Sequence, residues 1–599
     1  MNLYRFTVVL SMIVLKMFVP TTFKLRGVIL ALMVIEVAID YVPMPMLDLS
    51  FQSIFGISLV HFIQMATLST GVAVVVSNAL KNKSDVTSKV DDIRTEQLET
   101  SMALKYEERT YEGNREQYQI PVYCGKDEDA IQETTQQESI IIKHSEKLNF
   151  PTSQLQSIDF SSAMDANDPL ASFKDMFYVS SSTIYMCGNS LGLQPKSTAP
   201  LMQDAISKWR SKAVKGHFCG EYPWFNLEDK VVDIMANIVG AKPVEVAVMG
   251  SLTSNLHSLL TSFYKPTPNR FKILMEENPF PSDMHAITTH ILSRRDLNKS
   301  PQDVIVQIGA RHGDHNILTQ DILSMISSSP FKDQVALILL GGINFMTGEL
   351  FDIEKITKEA HKHGIIVGFD LAHCVGNVEL KLNEWDVDFA VWCSYKYMNA
   401  GPGMPAGIFV HERFADCSVS ELPRMSGWWG HKRSDRFSMT NQFVPSRGAA
   451  GFQCSTPNAI GNLCVLSGLQ LFEKARGMKP LREKSLLLTS YLEFLLSNSN
   501  DLLGEVEIIT PSNPERRGCQ ISIRIINEPM KNVNRGLDER GIVCDEREPN
   551  IIRISPTPMY NSFSDVRKTV EGLIDVISEL KSKNVKEGIA LQSLDKSVA

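Results

Sequence analysis

Residues 230–410 predict an α/β fold with a mostly parallel sheet covered on both faces, and three observations carry that expectation. Short apolar runs alternate with helical patterns across the region. The runs, among them Glu245–Met249, Phe271–Met275, Val335–Leu340 and Val387–Cys393, lack the polar alternation of a strand with one wet face, so both faces are buried. Their ends carry the chemistry: Asp370 and His373 close one run, Tyr395 and Lys396 close the next, and in open α/β sheets ligands bind outside the carboxyl ends of the strands.

The whole chain bounds the reading. At 599 residues it is longer than one ordinary domain, and 43% hydrophobic with 21% charged residues is a globular composition. A net charge of −8 gives no basic footprint, so nucleic acid is not an expected partner. Ten cysteines lie scattered without a Cys-x-x-Cys pair, which argues against a zinc ribbon or a disulfide scaffold and for reduced thiols; no metal is implied.

Residues 1–81 form a hydrophobic, membrane-like extension. Phe6–Val19 and Val28–Val42 are interrupted by charge, but Phe51–Leu80 has no Lys, Arg, Asp or Glu and can cross a hydrocarbon core of about 30 Å. It is read as a transmembrane tether, and Lys81 and Lys83 place the downstream part in the cytosol. A signal peptide is the rival account of the first 24 residues, and a buried helical hairpin that of Phe51–Leu80. Residues 82–156, rich in Lys, Glu, Gln, Ser and Thr, read as a polar linker.

The compact region is expected over 157–580, with a larger domain at about 200–440, a smaller α+β domain from 157–199 and 441–580, and a polar tail over 581–599. Tyr185-Met-Cys-Gly-Asn-Ser-Leu-Gly192 makes its first tight turn. Gly250-Ser-Leu-Thr-Ser-Asn255 joins a strand to a helix start, so Leu252 and Thr253 are candidates to hold a phosphate, or an ordinary cap. Lys396, where an apolar strand meets Asn399-Ala-Gly-Pro-Gly403, can form a Schiff base with an aldehyde such as pyridoxal phosphate; taken alone it is more often a surface lysine closing a buried strand. Asp370 strengthens the reading, because such chemistry needs a carboxylate beside the pyridine nitrogen.

Gly188-Asn-Ser-Leu-Gly-Leu-Gln-Pro-Lys196, Asn278-Pro-Phe-Pro-Ser-Asp283, Gly368-Phe-Asp-Leu-Ala-His-Cys-Val-Gly-Asn377 and Trp392-Cys-Ser-Tyr-Lys-Tyr-Met-Asn-Ala-Gly401 resemble the kynureninases collinearly, and the resemblance runs from about Ser157 to Ser578. It implies the aspartate-aminotransferase-like fold type I, bound pyridoxal phosphate, and hydrolysis of L-kynurenine and its 3-hydroxy form to an anthranilate and L-alanine, in tryptophan degradation and NAD precursor synthesis. It implies cofactor contacts from Leu252, Thr253, Phe280, Pro281, Ser282, Asp283, Asp370, His373, Tyr395 and Lys396, and from Trp428 and Thr456 of a neighbouring subunit, hence a homodimer with shared sites. Lys396, Tyr395 and Asp370 are the implied catalytic groups; His217, Ser455, Thr456 and Arg553 are the implied substrate contacts. Gly341 stands where the family often has a hydroxyl residue, and the hydrophobic extension is foreign to it. The rival readings are a cysteine desulfurase or selenocysteine lyase using Cys454, and an inactive membrane-tethered scaffold.

Overall fold

The structure is a computed structural model and describes residues 140–598, with side chains as far as 583. The extension over 1–81, with its transmembrane reading of Phe51–Leu80, and most of the linker lie outside the described residues. Among the described residues no helix is long and apolar enough to cross a membrane.

The chain enters through β1 (Ile184–Tyr185) and then builds a seven-stranded sheet from β2 (Val246–Met249), β3 (Lys272–Glu276), β4 (Ile305–Ile308), β5 (Val335–Gly341), β6 (Ile366–Asp370), β7 (Phe389–Trp392) and β8 (Ala406–Val410). Their order is β2-β8-β7-β6-β5-β3-β4, and β8 alone runs against the rest. The sheet is therefore mostly parallel. Its strands are buried along nearly their whole length, as their unbroken Val, Ile, Leu and Phe content requires when helices cover both faces. Gly368 on β6 lies opposite Phe389 on β7, and a Cβ there would fall 2.1 Å from the Phe389 ring. Only glycine lets that ring lie across the sheet.

A second lobe carries β9 (Val506–Ile508), β10 (Ile521–Ile525), β11 (Ile542–Val543), β12 (Asp545–Arg547) and β13 (Ile551–Ile554). Four of these form an antiparallel sheet in the order β12-β13-β10-β9, while β11 pairs in parallel with β1. Alternate residues Ile521, Ile523 and Ile552, Ile554 face a core shared with Leu488, Tyr491 and Val566 of the helices Met478–Ser497 and Phe563–Val598. Ile141 and Leu155, within the stretch 82–156, are buried in this same core. The lobe thus draws on both ends of the described chain.

Candidate active site

Five strands of the larger sheet, β2, β3, β5, β6 and β7, end at one pocket. It is lined by Leu252, Thr253, Glu276, Phe280, Ser282, Asp283, Gly341, Ile343, Phe345, Asp370, Ala372, His373, Tyr395 and Lys396. Glu276 and Asp370 are the last residues of β3 and β6, and Thr253, Ser282, His373, Tyr395 and Lys396 follow shortly after β2, β3, β6 and β7. After β2 the helix Leu252–Phe263 begins; after β3 the helix Pro281–Ser293 begins, with the proline in its first turn. The Thr253 and Ser282 hydroxyls are 2.8 Å apart, so the two helix starts meet. Their exposed N–H groups and hydroxyls make an anion cradle.

Opposite the cradle, the Lys396 Nζ lies 2.9 Å from His373 Nε2 and 5.9 Å from the centre of the Phe280 ring. Burial, then the Lys396 charge, push the His373 imidazole well below its ordinary value, so it is neutral and can accept from the ammonium. The Asp370 Oδ1 accepts the Ala372 N–H at 2.8 Å. Burial raises the Asp370 carboxyl, with Lys396 opposing the rise. Asp283 is likewise pushed well up, by burial first and the Asp370 charge second. Glu276 closes β3 beside them; its Oε1 accepts the Gly341 N–H at 3.0 Å, and burial pushes its carboxyl up to about 7.

These groups fit pyridoxal phosphate. Asp283 Oδ1 and His373 Nδ1 are buried without a protein partner, which a polar group bound in the pocket would supply. Asp370 would face a protonated ring nitrogen, Phe280 or His373 the ring's faces, and the Leu252–Thr253 and Ser282 turns a phosphate.

Other sequence-predicted residues stand apart from this pocket. Pro281 only opens its helix. Trp428 is 44% exposed, with its Nε1–H donating to the Arg436 carbonyl at 3.2 Å, and Ser455 and Thr456 are exposed. His217 packs edge-on against Trp224, ring centres 5.4 Å apart. Arg553 is buried behind the pocket wall, donating to the Phe345 carbonyl at 2.8 Å. Glu276, Ile343, Phe345 and Ala372 line the pocket unforeseen. Glu276 was findable, because it ends an apolar run as Asp370 does.

The chain is similar to several proteins named as kynureninases. It is 44% identical over 456 residues to "Kynureninase 2" of Aspergillus oryzae, covering 71% of this chain and 96% of that one, and 46% identical over 451 residues to "Kynureninase 2" of Aspergillus niger, covering 70% and 96%. The chain belongs to the kynureninase family. A bacterial kynureninase, from Flavobacterium psychrophilum, is 43% identical over 414 residues, covering 68% of this chain and 95% of its own. The "Kynureninase C-terminal domain" family matches residues 481–573, in the second lobe. Among solved structures, an apo cysteine desulfurase from Thermococcus onnurineus matches with a TM-score of 0.56 at 17% identity, covering 68% of this chain and 98% of its own. A C-DES mutant with glycine covalently linked to its PLP cofactor matches at 0.55 and 14%, covering 66% and 97%. At such identities these two share the fold alone, the α/β fold type I of pyridoxal phosphate enzymes. The kynureninase relatives leave the desulfurase and scaffold readings unfavoured, and Cys454, exposed, is not part of the pocket lining.

Proposed function

We propose that the pocket at the carboxyl ends of β2–β7 carries out pyridoxal phosphate-dependent hydrolysis of L-kynurenine to anthranilate and L-alanine, with the 3-hydroxy form as a second substrate. The observation that carries the assignment of roles is Lys396 against a neutral His373, with Asp370 buried in the same pocket. Bound pyridoxal phosphate supplies an aldehyde that captures amines and a ring that withdraws electrons from the captured amino acid.

The chain's own groups do the rest. Lys396 Nζ would hold the cofactor through its aldehyde and, as a free amine, would carry the proton away from the substrate Cα. His373, uncharged, takes hydrogen bonds from that ammonium without competing with it for a proton. Asp370 keeps the ring nitrogen protonated. Burial raises the Tyr395 phenol, so it stays protonated at neutral pH and can deliver the proton that replaces anthranilate at Cβ, after water has added to the γ-carbonyl. Arg553 binds the α-carboxylate. Lys396→Ala tests the assignment: the purified protein should lose its cofactor absorbance and its release of fluorescent anthranilate, and retained turnover would refute it.

The active unit is a homodimer in which Trp428 and Thr456 reach the other subunit's cofactor, with His217, Ser455 and Thr456 at the aromatic end of the substrate site. Support comes from an exposed aromatic face: Phe218, Trp428 and Phe437 are 65%, 44% and 57% exposed, and Phe218 and Phe437 both pack on Phe225. Mixing inactive Lys396→Ala with Trp428→Ala subunits should restore activity in hybrids; no recovery would make each subunit self-sufficient. The segment Phe51–Leu80 tethers this cytosolic enzyme to a membrane, and full-length protein should sediment with membranes after a high-salt wash.

A further inference from the structure

Arg553, buried behind the pocket wall, is already engaged. It sits opposite Asp545 in the β12–β13 ladder, and directly opposed residues of an antiparallel pair project to the same face. Arg547, two residues along β12, projects to that face as well. The Asp545 carboxylate bridges the two guanidinium groups, with Oδ1 on Arg547 Nη1 and Oδ2 on Arg553 Nη2. The Ser190 hydroxyl, carried by the first tight turn, donates to the same Oδ2. That turn is fixed to the catalytic lysine: the Gly192 N–H donates to the Tyr395 carbonyl at 2.8 Å.

Two further observations point to a ligand. Arg553 is 1% exposed, yet its Nε has no partner. Two guanidinium groups share one carboxylate, and no other ion pair joins either arginine among the described residues, which leaves one positive charge over. One more carboxylate would balance it. The guanidinium is anchored from the other side by its bond to Phe345, whose ring lines the pocket, so its direction is set while one edge is held by an exchangeable group.

We propose that Asp545 is a positioning residue that occupies Arg553 in place of the substrate's α-carboxylate and withdraws to Arg547 when that carboxylate arrives. This rests on the assignment of Arg553 as the carboxylate anchor. Each Asp545 oxygen serves a different arginine, so the carboxylate can release Arg553 and keep Arg547 without being left unpaired. Arg547, 34% exposed where Arg553 is 1%, has room to follow it. The device orients Arg553 before binding, and weakens the hold on an α-carboxylate so that L-alanine, which keeps that group, can leave.

The test is calorimetric titration of the holoenzyme with L-alanine and with ethylamine, which has the amine but no carboxylate. Asp545→Asn preserves shape and removes the competing charge. It should bind L-alanine about three- to tenfold more tightly, as relief from one charge-assisted competitor allows, with ethylamine unchanged. Asp545→Glu should return L-alanine affinity toward wild type, and Arg547→Gln, which strands Asp545 on Arg553, should weaken it. Unchanged or weaker L-alanine binding by Asp545→Asn, or equal shifts for both ligands, would overturn the proposal. Arg553→Ala separates the premise: if it leaves L-alanine binding intact, Arg553 is not the anchor, whatever Asp545 does.

Discussion

Glu276→Gln perturbs the charge balance of the pocket at one buried atom. Burial holds the Glu276 carboxyl at about 7, against 4.5 for an ordinary glutamate, so between those values the folded chain keeps a proton that the unfolded chain has released. The stability attached to that proton is fully present below the unfolded value and is lost as pH rises through 7. Integrated over that window, the buried carboxylate costs the apoprotein about 3 kcal/mol at about pH 8 and under ~1 kcal/mol at about pH 5. Glutamine still offers an oxygen to the Gly341 N–H and carries no charge. Urea unfolding of apoprotein should therefore find Glu276→Gln more stable than wild type by about 3 kcal/mol at about pH 8, with the gap nearly closed at about pH 5. Cofactor should narrow the gap, because a protonated ring nitrogen offsets the carboxyl cluster. Equal stability of the two apoproteins at both pH values would refute the placement of Glu276 among uncompensated buried acids.

Asp370→Ala should hold pyridoxal phosphate roughly ten- to a hundredfold more weakly, the worth of a charge-assisted hydrogen bond, by fluorescence titration of the apoprotein. Thr456→Asn should move the kcat/KM ratio toward 3-hydroxykynurenine by roughly two- to twelvefold, since an amide offers two donors where a threonine hydroxyl offers one. An unchanged ratio would remove Thr456 from the substrate site. Deleting residues 1–139 should leave a stable enzyme, whereas deleting 1–156 also strips Ile141 and Leu155 from the second core and should cost several kcal/mol in denaturant unfolding.

What the sequence disclosed follows from how the site is built. Asp370 and Lys396 were legible because one ends an apolar strand and the other follows the end of the next by four residues, and strand ends in such a sheet converge. Glu276 ends β3 as Asp370 ends β6, but the family resemblance lies in the Phe280–Asp283 motif just beyond it and does not include Glu276. The place of β8, running backwards between β2 and β7, is set by tertiary packing and leaves no mark in an apolar run. Pairing of Asp545 with Arg553 depends on the β12–β13 register, which spacing alone does not give. Trp428 and Thr456 could be assigned only by resemblance, because nothing within one chain brings them to Lys396.

The most direct test of the central claim is release of anthranilate from L-kynurenine by the purified holoenzyme, followed by its fluorescence beside Lys396→Ala at equal concentration. Turnover by the wild-type protein with stoichiometric L-alanine, and none by the variant, is the expected result; anthranilate release undiminished in Lys396→Ala, or absent from both proteins with cofactor bound, would contradict it.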